Sequence, residues 1–168
     1  PSFLTLKRKI ADKLVLHKVR ALFGTNMHHL NYGGAALNPE IEKFFFYCGV
    51  LITSGYGLTE TSPVLTMNSP HYFKFGSVGP TVPLVDIRID PDTSEIQARG
   101  NIIKEYYNKP ELSKEMFTED GWFKTGDIGR IDEDGYLFIT DRLKDLIITS
   151  GGKNIAPQMI ELMMGEDH

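Results

Sequence analysis

Residues 27–53 read MHHLNYGGAALNPEIEKFFFYCGVLIT. MHHLNY predicts a short strand that runs into Gly33 and Gly34. Asn38 followed by Pro39 predicts a helix start, because an asparagine side chain accepts from a first-turn N–H and proline fits where no N–H is needed. That helix carries Ile41, Phe44, Phe45 and Cys48 on one side and stops at Gly49, and VLIT is the next strand. A strand, a crossover helix and a second strand make a βαβ unit, right-handed with parallel strands. The two glycine-bearing loops, GGAAL (33–37) and SGYGLTETSP (54–63), therefore leave the sheet at the same carboxyl edge, where open α/β folds place their ligands.

Upstream, Leu6, Ile10, Leu14, Val19 and Leu22 recur at helical spacing, with Lys and Arg between them and Gly24 as a stop. This predicts an amphipathic helix whose basic face is either solvated or turned to an anionic surface. From Val64 the texture changes to period-two alternation with frequent Pro and Gly. VDIRID, the turn PDTS and EIQARG predict one hairpin, and GRIDEDGYLFI predicts another that turns at Asp134 and Gly135. Between them, Asn108 and Glu111 have the spacing of a capping box ahead of LSKEMF. An antiparallel β subdomain is thus expected over 64–140, after an α/β part over 1–63. Beyond it, DRLK leads into a strand LIIT, a tight SGGKN turn and a helix from Pro157 to Met164.

The chain has 168 residues and a formal net charge of −4, with 41% hydrophobic and 24% charged residues. These values belong to a globular chain and exclude disorder, collagen and coiled coil. Mild acidity argues against nucleic acid as the main partner. The single cysteine, Cys48, excludes an internal disulfide and reads as a small buried hydrophobe, in keeping with a reducing compartment. The apolar run FFFYCGVLI is far shorter than a membrane span needs. His28 and His29 lack partners at metal spacing and read as structural, one facing the core and one outward. With no initiator methionine and an apolar run just before its end, the chain is expected to be an internal piece of a longer polypeptide.

Two stretches carry chemistry. In SGYGLTETSP the glycines let the backbone bend tightly around a bulky anion, Thr59 and Thr61 offer hydroxyls, and Glu60 offers a carboxylate suited to Mg²⁺. In DGWFKTGDIGR, Asp127 sits in a turn after Gly126, where it either caps its own backbone or accepts from a ribose diol. Arg142 either supplies donors to the same sugar or forms a surface ion pair with Asp141 or Asp145.

Taken in order, YGLTETSP, GWFKTGDIG, DRLKDLI and GGKNIAP resemble the adenylate-forming superfamily, and within it the long-chain fatty-acid CoA ligases. The similarity runs over nearly the whole chain. It implies an enzyme that uses ATP and Mg²⁺ to join a fatty acid to AMP with loss of pyrophosphate, after which CoA displaces AMP. A ligase for another acid (aryl or amino acid) and a non-catalytic nucleotide-binding module are the competing functions. The resemblance makes Gly33, Gly34 and Ala35 the loop beside the adenine and the acyl pocket, with Tyr56 stacked on the adenine and Gly57 beside it. Thr59 would touch the phosphates, Glu60 would hold Mg²⁺, and Asp127 and Arg142 would take the ribose hydroxyls. Lys144 would be the hinge within 141–144, and 145–168 the start of a small C-terminal domain. Gly151 and Gly152 would line the CoA channel.

The implied fold class is α/β plus β: the end of a parallel α/β subdomain, an antiparallel β-barrel-like subdomain, then the hinge and the start of a C-terminal α+β domain. A cytoplasmic location is implied, with peripheral membrane contact of the full-length protein. Departures from the family pattern are Ser94 and Glu105 at common glycine positions, Asp141 in place of another glycine, and lysine at the hinge. The family's phosphate-gripping loop and catalytic lysine are expected outside this stretch, and Lys153 is expected to be solvated. The Phe44–Phe46 cluster is expected in the core, close enough to wall the acyl pocket.

Overall fold

The computed structural model describes residues 3–24, 26–27, 29–148, 154–155, 157, 160 and 164. The helical periodicity upstream produces α1 (Phe3–Ala11), a π-helical stretch (Asp12–Leu16) and α2 (His17–Ala21) in unbroken succession. Leu6, Ile10, Leu14 and Leu22 remain exposed along it. Arg20 ties α2 to the rest of the chain, donating to the Cys48 carbonyl at 2.7 Å and pairing with Asp12 at 2.7 Å.

The expected βαβ unit is present. β1 (His29–Tyr32) and β2 (Leu51–Tyr56) are parallel, with Leu30 opposite Ile52 and Tyr32 opposite Ser54. Between them runs α3 (Pro39–Cys48), capped by the Asn38 side chain, which accepts from the Glu40 N–H at 2.8 Å. Gly49 ends α3 at φ 89°, the left-handed conformation that glycine adopts without a Cβ penalty. The expected buried stripe of α3 needs correction. Cys48 is buried as expected, but it shares the inner face with Glu42, whereas Ile41 and Phe44 are exposed. The reason is polar: Glu42 accepts from the Tyr32 hydroxyl at 2.8 Å and from the Gly76 N–H at 2.7 Å, which fixes the rotation of the helix. Phe46 accordingly packs on Phe73 and Phe75 instead of the sheet.

β3 (Thr66–Met67) joins β2 antiparallel, so the first sheet is a mixed sheet of three strands. The second sheet holds β4 (Gly79–Pro80), β5 (Val85–Ile89), β6 (Glu95–Gly100), β7 (Phe123–Ile131) and β8 (Tyr136–Arg142). Its order is β4-β8-β7-β6-β5 with antiparallel pairing throughout. Both predicted hairpins are in it, but it is an open sheet and not a closed barrel, since β4 and β5 form its two edges. The core lies where the two sheets meet, and Tyr56 and Leu65 pack there with Ile96, Ala98 and Leu137.

The capping box at Asn108 is not formed. α4 (Pro110–Glu115) is capped by the Lys109 backbone without a side-chain bond, and Asn108 has φ 54°. Pro110 takes the first helical position and pushes the preceding residue out of helical geometry, which moves the start past Asn108. β9 (Ile147–Ile148) pairs antiparallel with β10 (Asn154–Ile155). Of the expected final helix, Pro157, Ile160 and Met164 are described, all three helical. The SGGKN turn, with Gly151, Gly152 and Lys153, lies outside the described residues, as does His28.

Candidate functional site

The carboxyl edge of β1 and β2 faces a cavity of 1210 Å³. Gly34 and Ala35 from the first loop, Tyr56 and Gly57 from the second, and Asp127 and Arg142 from the five-stranded sheet all line it. Six of the residues singled out in the sequence thus converge on one space. The two loops touch: the backbone of Gly33 comes so near Gly55 that a Cβ on Gly33 would lie 3.4 Å from the Gly55 carbonyl oxygen. Gly57 is still more constrained, because a Cβ there would sit 1.8 Å from the Pro63 carbonyl oxygen. Only glycine lets the TETSP segment fold back over the end of β2. The cavity also has an apolar wall, in which Leu37, Ile41 and Phe44 of the loop and α3 stand beside Val78.

Asp127 lies within β7, on a bulge, and not in the expected turn. In the β6–β7 ladder Glu95 pairs with Ile128 and Gln97 with Lys124, so Ile96 alone faces Thr125, Gly126 and Asp127. The surplus pushes those three residues out of the ladder, and a bulge of this kind re-aims a side chain. Gly126 takes φ 76° at its crest. Thr125 Oγ1 donates to the Ile96 carbonyl at 2.7 Å and accepts from the Asp127 N–H at 3.1 Å. The Gly126 N–H donates to Glu95 Oε1 at 2.9 Å.

The Asp127 side chain is 7% exposed and its two oxygens face different partners. Tyr56 donates its hydroxyl to Oδ2 at 2.7 Å, and Arg142 Nε stands 3.2 Å from Oδ1. Arg142 therefore pairs with Asp127, opposite it in the β7–β8 ladder, and not with Asp141 or Asp145. Burial, reinforced by the Asp127 charge, pushes the Tyr56 phenol well above its ordinary pKa and keeps it a donor. The Arg142 side chain is 58% exposed, leaving guanidinium N–H groups open to the cavity. A buried carboxylate with a guanidinium across the strand pair can accept from and donate to neighbouring hydroxyls of one small molecule.

Thr59 and Glu60 start a short 3₁₀ helix (Thr59–Thr61) beyond the cavity lining. Thr59 is exposed, and Glu60 Oε1 accepts from the Tyr106 hydroxyl at 2.8 Å. Partial burial and this carboxylate push the Tyr106 phenol up to about 12. Among the described residues no three His, Cys, Asp or Glu side chains gather at metal-binding distance. Mg²⁺ needs fewer, since it is held by one or two carboxylates together with phosphate oxygens and water. Glu60 fits that pattern, because the tyrosine engages one of its oxygens and leaves the other.

Lys144 is exposed in the turn after β8, where the Asp145 N–H donates to the Arg142 carbonyl at 3.1 Å. His29 bonds Thr53 Oγ1 at 2.7 Å across the parallel pair, a structural role. Two family departures acquire a physical description. Ser94 has φ 60°, a conformation that glycine adopts more readily. Asp141 is buried and accepts from the Arg142 N–H at 2.7 Å through Oδ1. Sequence reading missed Glu95, Tyr106 and Glu42. Glu95 stood next to the flagged Ser94, but nothing local joined it to Gly126.

Among solved structures, o-succinylbenzoate CoA synthetase (MenE) of Bacillus subtilis, in complex with the acyl-adenylate intermediate OSB-AMP, superposes with a TM-score of 0.76 at 30% identity. That match covers 90% of this chain and 34% of the other. ATP-bound MatB from Rhodopseudomonas palustris gives a TM-score of 0.69 at 38% identity, over 78% of this chain and 28% of the other. The architecture is therefore that of the adenylate-forming ligases. The profile of the AMP-binding enzyme family matches residues 2–105, and the chain belongs to that family. Its curated relatives include the long-chain-fatty-acid–CoA ligase FadD15 of Mycobacterium bovis, 42% identical over 159 residues, which are 94% of this chain and 26% of that protein. The human long-chain-fatty-acid–CoA ligase ACSBG1 is 41% identical, over 91% of this chain and 22% of its own length. The chain thus spans about a quarter of the curated relatives it matches.

Proposed function

We propose that these residues form the nucleoside side of the active site of an ATP-dependent acyl-CoA ligase. The full-length protein would activate a long-chain fatty acid as acyl-AMP and pass the acyl group to CoA. The observation that carries this reading is the placement of Asp127, Arg142 and Tyr56 on one cavity at the carboxyl edge of the parallel strands, opposite the GGAAL loop. The 42% identity to a long-chain ligase favours a fatty acid over the aryl acid named for the 30% identical synthetase, and the apolar wall of Ile41 and Phe44 agrees with it.

In this reading Asp127 accepts the ribose hydroxyls, Arg142 donates to the same sugar, and Tyr56 presents its ring to the adenine while Gly34 and Ala35 cover the other side. Binding has a physical consequence at Asp127: the ribose must replace or share the bonds from Tyr56 and Arg142. Thr59 donates to a phosphate oxygen, and Glu60 is the carboxylate for Mg²⁺, which when bound neutralises phosphate charge. Lys144 is the pivot for a C-terminal domain beginning near residue 145, and Gly151 and Gly152 belong to the CoA channel. The phosphate-gripping loop and the catalytic lysine are expected outside these 168 residues, and the isolated chain is expected to be inactive in adenylation.

Asp127→Ala in the full-length protein tests the assignment. Charge-assisted hydrogen bonds contribute about 1.5–3 kcal/mol each, so AMP affinity falls about tenfold to a hundredfold in calorimetry. An unchanged affinity in the folded variant contradicts the ribose role.

A further inference from the structure

Asp127 reaches the cavity only because Thr125, Gly126 and Asp127 leave the β6–β7 ladder together. A bulge of this size has several ways to settle, and backbone groups expelled from a ladder need other partners. The amide before Asp127 finds its donor's partner in Glu95 Oε1, 2.9 Å from the Gly126 N–H. The carbonyl of Gly126 accepts from the Leu143 N–H at 2.8 Å. Gly126 is thus fastened on one side to β6 and on the other to the turn that follows Arg142. Glu95 is itself buried, 6% exposed, and does not line the cavity.

We propose that Glu95 is a positioning residue: its carboxylate holds the Gly126 amide so that the bulge presents Asp127 to the nucleotide. Glu95 touches no substrate and acts through Asp127, so the proposal rests on the ribose reading of Asp127. A carboxylate suits this task better than a hydroxyl, because it makes a charge-assisted bond to a backbone N–H at the crest of a glycine turn. A structural tie between β6 and β7 would be the simpler role, and it makes a different prediction. Lost stability would affect every ligand alike, whereas lost positioning is felt only where Asp127 is used.

The test is a double-mutant cycle in the full-length protein, with AMP binding by calorimetry as the readout. Glu95→Ala is expected to weaken AMP about tenfold, the order expected for one charge-assisted bond. In an Asp127→Ala background the same change is expected to cost less than about twofold, because the residue being positioned is gone. The fatty-acid KM stays unchanged, and Glu95→Gln, which keeps the acceptor oxygen, restores most of the affinity. If Glu95→Ala does not fold, Glu95→Met, which fills similar volume without accepting, takes its place in the cycle.

AMP affinity equal to the parent in Glu95→Ala overturns the proposal. So does a full tenfold loss that persists when Asp127 is already alanine, which is the signature of a structural role. An Asp127→Ala variant that binds AMP normally overturns the ribose reading as well, and so separates the two failures.

Discussion

Glu42 is the carboxylate on which α3 is registered, 2% exposed and bonded to Tyr32 and Gly76. Burial raises its pKa, and the bonds from Gly76 and Tyr32 offset only part of that rise. Between its unfolded value and this raised value the native state holds a proton that the unfolded chain releases. The contribution to stability is therefore complete below the unfolded pKa and is lost as pH rises through the folded one. Glu42→Gln keeps an acceptor for Gly76 and removes the titration. Its melting temperature is expected to match the parent at about pH 4 and to exceed it at neutral pH. Parallel melting curves at all pH values would contradict a buried, titrating Glu42. Asp127, Arg142 and Tyr56 could be singled out because each sits in a motif that carries the family resemblance, and the three line one cavity. Glu42 drew no reading from the sequence, since its partner Gly76 is 34 residues away and hydrophobic spacing says nothing of a buried carboxylate.

The elements followed local chemistry wherever local chemistry was complete. Asn38, Pro39 and Gly49 set both ends of α3, and Asp134 and Gly135 set the second hairpin, all as their residue types require. The bulge in β7 was hidden because its cause is register: Ile96 faces three residues, which only the pairing of two distant strands determines. The cap of α4 was misplaced because Pro110 outweighs the spacing of Asn108 and Glu111. At the end of β8 the expected hinge can be probed directly. Proline fixes φ near −65° and cannot follow a large backbone rotation. Lys144→Pro in the full-length enzyme is therefore expected to lower acyl-CoA formation at least about tenfold more than pyrophosphate exchange, a difference of about 1.4 kcal/mol in barrier. Adenylation is spared because Arg142 precedes the pivot and keeps its pairing with Asp127. Equal losses in the two assays would remove the case for a pivot at Lys144.

At the scale of the whole molecule, the two sheets meet in a shared core and leave the cavity at their junction. The α/β-then-β order was legible, because period 3.6 gives way to period two near Val64. Closure of the second sheet was not, since alternation reports which face of a strand is buried and not whether the edges meet. Among the described residues no helix is long and apolar enough to cross a membrane. The exposed stripe of Leu6, Ile10, Leu14 and Leu22 belongs to a chain that spans about a quarter of its curated relatives. The most direct measurement is ATP–pyrophosphate exchange with a long-chain fatty acid, run on the full-length protein and on the 168-residue chain. Exchange that depends on the fatty acid in the full-length protein, and none from the chain alone, is the result predicted. Exchange driven by an aryl or amino acid but not by a fatty acid, or fatty-acid-dependent exchange from the chain alone, would contradict the assignment.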